Sequence, residues 1–210
     1  MELTEQLRAF GEAAISIFAI VNPIGNLPIF LGLTEGASTQ ERRRVFRLAG
    51  LAALAIICVM ALAGQFLLHY VFHVEIEEFM FGGGLLLVVT GIANILQKAE
   101  KRRWLQGDEQ DRALEQMRLA VSPIASPLLV GPGSIVTVML IVNQHGRLFA
   151  VAACLAAFIF VILILNYAHY VYRLMGRLGA LAVGRIMQIF IVAIGVKFCF
   201  RALEALLGNR

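Results

Sequence analysis

Polar groups able to hold a small solute concentrate in two proline-rich segments. The first reads Asn22-Pro23-Ile24-Gly25-Asn26-Leu27-Pro28. The second reads Ser122-Pro123-Ile124-Ala125-Ser126-Pro127, followed by Gly131-Pro132-Gly133-Ser134 and Thr137. All five prolines of the chain fall in these stretches. Proline removes a backbone donor and clashes with the preceding turn. It also pushes the residue before it out of helical geometry, and glycine adds freedom to unwind. Each segment therefore predicts a break in an otherwise helical run.

A broken helix presents its ends. The N-terminal end carries free N–H groups and about half a positive charge; the C-terminal end carries free carbonyls. Free N–H groups suit a carboxylate, and carbonyls suit an ammonium or a small cation. A small zwitterion matches both. The N–H groups following Gly25 and Gly133, helped by Asn26 and Ser134, are expected to take its carboxylate. Carbonyls near Asn22 and Ser122 are expected to take its ammonium. The bland alternative is a pair of packing kinks with no ligand.

The surroundings of these segments decide where such a site sits. The chain has 210 residues, of which 60% are hydrophobic and 15% charged, with a mean hydropathy of +0.81. Ordinary globular domains run near 45–50% apolar and about 25% charged. So much apolar surface cannot be hidden in a soluble fold of this size. A soluble enzyme, a disordered chain and a disulfide-stapled domain are excluded. Six apolar runs are long enough to cross roughly 30 Å of hydrocarbon: 11–33, 45–69, 79–97, 118–142, 148–171 and 184–206. Backbone groups in lipid must bond within their own segment, so the runs read as helices. The expected fold is an all-α membrane protein of six transmembrane helices, with helices 1 and 4 broken.

Charge gives the spans a direction. Arg42, Arg43, Arg44 and Arg47 follow the first span. Lys98, Lys101, Arg102, Arg103, Arg112 and Arg118 follow the third, and Arg173, Arg177 and Arg185 follow the fifth. The loop at 70–78 carries Glu75, Glu77 and Glu78 and no lysine or arginine. Basic loops mark the cytoplasmic side, which leaves both termini outside. The formal net charge of +4 belongs to these loops, so no nucleic-acid partner is expected.

The halves resemble each other. Val21-Asn22-Pro23-Ile24 recurs as Val121-Ser122-Pro123-Ile124, and His69-Tyr70-Val71-Phe72 as His169-Tyr170-Val171-Tyr172. Three spans per half force the copies to enter the membrane in opposite directions. The chain divides into a first three-helix repeat (1–97), a charged cytoplasmic linker (98–117) and a second, inverted three-helix repeat (118–210). Inverted repeats mark secondary transporters, whose site lies near the midplane where the repeats meet.

Asn-Pro-Ile-Gly-Asn-Leu-Pro-Ile-Phe at 22–30 and Pro-Leu-Leu-Val-Gly-Pro-Gly-Ser-Ile at 127–135 resemble the signature stretches of the MarC family of integral membrane proteins. The likeness runs over nearly the whole chain and includes Gly82-Gly83-Gly84. The family is similar to the LysE-type exporters, and its best-understood relatives transport small neutral amino acids such as glycine and alanine. The resemblance implies a substrate at Asn22, Pro23, Gly25, Asn26 and Pro28, and at Ser122, Pro123, Ser126, Pro127, Gly131, Pro132, Gly133, Ser134 and Thr137. It also implies a bacterial or archaeal cytoplasmic (inner) membrane.

The remaining groups narrow the chemistry. Lys197 lies in the sixth span as an auxiliary site residue or as an anchor beside Arg201, since long cations snorkel to the interface. Cys58, Cys154 and Cys199 lack metal-ligand spacing and read as small hydrophobes, so neither a metal nor a cofactor is expected. No catalytic residue is expected either: the chain has no H-E-x-x-H motif and no acid pair at depth. It also lacks a G-x-x-x-x-G-K-[ST] loop for ATP. The function expected is a secondary transporter of small solutes working by alternating access in the lipid bilayer. A coupling ion and a homo-oligomer are compatible with it. A channel-like or scaffold membrane protein without saturable transport is the alternative.

Overall fold

The computed structural model describes residues 2–34, 36–96 and 129–208. Helix α1 (Glu2–Val21) is followed directly by α2 (Pro23–Leu33). Helix α3 (Thr39–Phe66) runs into a π-helical turn, Leu67–Phe72, and α4 (Ile76–Leu96) follows. After residue 128 come α5 (Pro132–His145), α6 (Arg147–Asn166) and α7 (Ala168–Gly208). Every described element is helical, as hydrocarbon demands of a spanning chain. Counting α1 and α2 as one crossing, five helices among the described residues are long and apolar enough to span a membrane. The first part of the fourth expected span, 118–128 of 118–142, lies outside the described residues, as does the linker at 98–117.

Three boundaries differ from expectation. The first helix begins at Glu2 rather than near residue 11. Its polar first turns are held on its surface by an Arg8–Glu12 ion pair at 2.9 Å, one helical turn apart. The fifth span ends at Asn166 rather than 171. The stretch 172–183, expected as a loop, is helical apart from a kink at Gly176, where φ is +67°. Only glycine takes that backbone conformation without strain. Pro28, expected to help break the first span, lies inside α2. It costs that helix the bond to the Ile24 carbonyl without ending it.

Local chemistry starts α3. Ser38 and Glu41 form a reciprocal capping box, with Glu41 N–H donating to Ser38 Oγ at 3.2 Å and Ser38 N–H to Glu41 Oε2 at 2.8 Å. Such caps are worth about 1 kcal/mol.

The helices pack in a definite pattern. Helix α3 lies on α6 and α4 on α7, α1 also meets α6, and α2 meets α7. Helix α5 touches α3, α4 and α6. The main core buries Ile17, Val21, Phe30, Phe46, Ile57, Phe158 and Leu165. Large apolar side chains such as Leu86, Val89, Phe160 and Ile189 remain on the outside, where lipid is their solvent.

Crossings are close where glycine removes the side chain, a common device between membrane helices. A Cβ on Gly84 would lie 2.7 Å from the Gly195 carbonyl oxygen, and one on Gly195 would lie 2.7 Å from that of Gly84. A Cβ on Gly82 would meet nothing within 4 Å. Overpacking costs about 1–3 kcal/mol, of which alanine's better helix propensity returns up to about 1. Gly84→Ala is therefore expected to lower the melting temperature in detergent, whereas Gly82→Ala leaves it level or raises it. Equal melting of the two variants would contradict the close α4–α7 crossing.

Candidate functional site

The first break turns on Asn22. Its backbone sits in the left-handed region, φ 47° and ψ 56°, which asparagine tolerates better than most residues. Pro23 follows as the first residue of α2 and needs no hydrogen bond there. The Asn22 carboxamide folds over the new helix, and its Oδ1 accepts the Gly25 N–H at 3.0 Å. Any side chain at Gly25 would collide with that carboxamide. The Asn22 carbonyl accepts the Asn26 N–H at 3.2 Å. The Asn26 side chain reaches back to the Val21 carbonyl, the last of α1, at 3.4 Å. At the other end of α2, Arg42 Nη2 donates to the Thr34 carbonyl at 3.2 Å. A cation there also suits the negative end of the helix dipole. Helix α2 is thus a short segment with its own stopper at each end.

The second break is open. Gly131 precedes Pro132 with φ −88° and ψ 177°, and no side chain caps α5. The Ser134 hydroxyl donates to the Gly131 carbonyl at 2.8 Å, and the Ser134 N–H donates to the same oxygen at 3.1 Å. The Thr137 hydroxyl donates to the Gly133 carbonyl at 2.8 Å. These bonds tighten the first turn around its end; Pro132 has no N–H and that of Ser134 is taken, so Gly133 supplies the N–H at the tip, clear of any side-chain cap.

A cavity of about 120 Å³ joins the two segments. Asn26 comes to it from α2, and Gly131, Pro132, Gly133 and Ser134 come from the start of α5. Helix α4 adds Leu87 and Thr90, and α7 adds Gln188 and Ile191. Close approaches make this meeting possible. The Gly25 carbonyl lies 3.1 Å from where a Cβ on Gly184 would be, which brings α2 onto α7. Gly133 leaves room for Leu87.

The expected residues divide clearly. Five of them, Asn26, Gly131, Pro132, Gly133 and Ser134, line the cavity together. Asn22, Pro23 and Gly25 shape the α2 end without lining it, and Thr137 braces α5 one turn further on. Pro28 lies within α2. Lys197 sits on the exposed side of α7, away from the cavity lining. Ser122, Pro123, Ser126 and Pro127 lie outside the described residues.

Several roles differ from expectation for stated reasons. The Gly25 N–H is consumed by Asn22, so the α2 tip is stoppered and the two breaks are not equivalent. The Asn22 carbonyl already accepts the Asn26 N–H. The Ser134 proton is committed to Gly131, which leaves its oxygen as an acceptor. Thr90 and Gln188 were not expected in the site. Gln188 is the one uncharged carboxamide in the span 184–206, and that isolation was the available signal.

Residues 7–207 match the model of the MarC family of integral membrane proteins. The chain belongs to the MarC family. A UPF0056 membrane protein of Archaeoglobus fulgidus is 31% identical over 207 residues, covering 97% of this chain and 96% of its own. The UPF0056 membrane protein YvbG of Bacillus subtilis is 32% identical over 188 residues, covering 87% and 88%. No solved structure matches the chain. This MarC protein is accordingly a multi-pass integral membrane protein.

The stopper at Asn22 carries a measurable cost. Asn22→Ala removes the cap, worth about 1 kcal/mol, and puts alanine in a left-handed conformation at roughly 1–2 kcal/mol more. Asn22→Gly loses the cap but relieves the backbone. Denaturation of the purified variants is expected to rank wild type above Gly and Gly above Ala. A glycine variant less stable than the alanine variant would contradict the left-handed assignment.

Proposed function

We propose that this MarC protein is a secondary transporter of small neutral amino acids of the glycine and alanine type. The observation that carries the proposal is the cavity between the α2 start and the open tip of α5. Its size suits a small guest: an apolar cavity of about 150 Å³ takes a benzene ring. A volume of about 120 Å³ therefore fits roughly five or six heavy atoms, the size of glycine or alanine. The uncapped tip of α5 offers the Gly133 N–H and a partial positive charge to a carboxylate. Broken helices meeting at such a pocket are the usual architecture of a carrier that exposes one site alternately to the two sides.

The packing pattern supports two inverted repeats of three spans each. Exchange the α1–α2 span with the one that ends in α5, α3 with α6, and α4 with α7. The pairs α3–α6 and α4–α7 then map onto themselves. The α1–α6 contact maps onto α5–α3, and α2–α7 onto α5–α4, all of which occur. With the basic loops on the cytoplasmic side of a cytoplasmic membrane, both termini lie outside. No catalytic role is proposed. The partners are the small solute, the bilayer and, where uptake proves ion-dependent, a coupling ion.

Two measurements test the proposal. Proteoliposomes holding the purified protein are expected to show saturable uptake of labelled glycine or alanine and exchange with unlabelled solute inside. Uptake that rises without saturation would mark a channel instead. Ser134→Ala removes an acceptor for a charged guest, a loss of about 1.5–3 kcal/mol or roughly ten- to a hundredfold in affinity. For topology, single cysteines replacing Glu77 and Asp108 in a background lacking the native three are expected to label from opposite sides, Asp108 from the cytoplasm. Labelling of both from outside would rule out three spans per half.

A further inference from the structure

Gln188, which lines the cavity, carries a buried polar atom without a partner among the described residues. Gln188 is 5% exposed, and its Oε1 is buried with no hydrogen bond among the described residues. Leaving such a carbonyl unpaired is unfavourable. Replacing the residue by leucine would remove that cost, so packing alone gives no reason for a carboxamide here. A half-turn about its terminal side-chain bond, a soft torsion, presents either the carbonyl or the NH₂ to the cavity that Gln188 lines.

Two neighbours in the lining have the same polarity. The Thr90 hydroxyl donates to the Leu86 carbonyl at 2.6 Å, and the Ser134 hydroxyl donates to Gly131. Each has spent its proton on the backbone and keeps only lone pairs for a guest. The α5 tip brings the Gly133 N–H to the same cavity. Acceptors therefore come from three helices, α4, α5 and α7, and the end of α5 adds a donor.

We propose that Gln188 is the specificity residue for the amino group. Its carbonyl, with the hydroxyl oxygens of Thr90 and Ser134, accepts the N–H bonds of a small amino acid's ammonium, and the carboxylate lies at the tip of α5. The assignment rests on the amino-acid transport proposed above and adds which end of the guest is read, and by what. A hydroxyl in place of the ammonium offers one donor and no charge, so a hydroxy acid of the same size fills the cavity without satisfying three acceptors.

The test compares glycine with glycolate in equilibrium binding to the purified full-length protein. Wild type is expected to prefer glycine strongly. Gln188→Leu is expected to weaken glycine by about ten- to a hundredfold while changing glycolate little, so the preference collapses. Gln188→Glu keeps an acceptor and is expected to retain it. The empty Gln188→Leu protein is expected to melt no lower than wild type, because it loses an unpartnered carbonyl; a purely structural glutamine would make it melt lower. An unchanged glycine preference in Gln188→Leu overturns the assignment. So does an equal loss of glycine and glycolate, which would make Gln188 a shaper of the cavity rather than a reader of the amine. If wild type binds neither glycine nor alanine, amino-acid transport itself falls; if wild type binds them and Gln188→Leu matches it, only the present assignment falls.

Discussion

A helix interrupted within the membrane must find partners for the backbone groups that the interruption sets free. The rest of this structure is arranged around that demand. Asn22 meets it at the first break with one residue: its backbone turns the chain, its side chain takes the Gly25 N–H, and its carbonyl takes the Asn26 N–H. Asn26 returns a bond to the end of α1. Proline at position 23 then needs nothing, because it has no N–H to satisfy. At the start of α5 the residue before the proline is Gly131, which has no side chain to cap with. The two ends are solved differently, and the difference leaves one closed and one available to a guest.

That asymmetry was only half legible in the chain itself. The breaks were legible because proline and glycine act locally: Pro23 and Pro132 each open a helix, and a sequence shows them directly. The apolar runs were legible because hydrocarbon imposes a length. Pro28 leaves its helix unbroken for the same local reason. Proline removes one bond, and the remainder of α2, held at both ends, tolerates the loss. The bridging of 172–183 by helix was not legible either, since its polar and basic residues look like a loop until Gly176 supplies the kink.

Gln188 and Thr90 show the other boundary of sequence reading. Each sits in a helix that reads as membrane-buried, and nothing nearby in the chain says which neighbour it meets. Their meaning comes from packing. Glycine at 184 lets α7 touch the Gly25 carbonyl, glycine at 133 admits Leu87, and only then do α4, α5 and α7 share one wall. Residues that shape a cavity carry a local signature. Residues that give it polarity acquire theirs when distant helices are brought together.

The contact between Gly84 and Gly195 has a consequence for how such chains can diverge. Each glycine's missing Cβ is the space occupied by the other's carbonyl. A substitution at one position therefore cannot be judged alone, because the room it needs belongs to a residue in the other half of the chain. Drift at the two sites is tied together: a lineage that enlarges one must first move the helix bearing the other. Across relatives, the pair is expected to change jointly or not at all, and the spacing of α4 from α7 should be inherited as a single character.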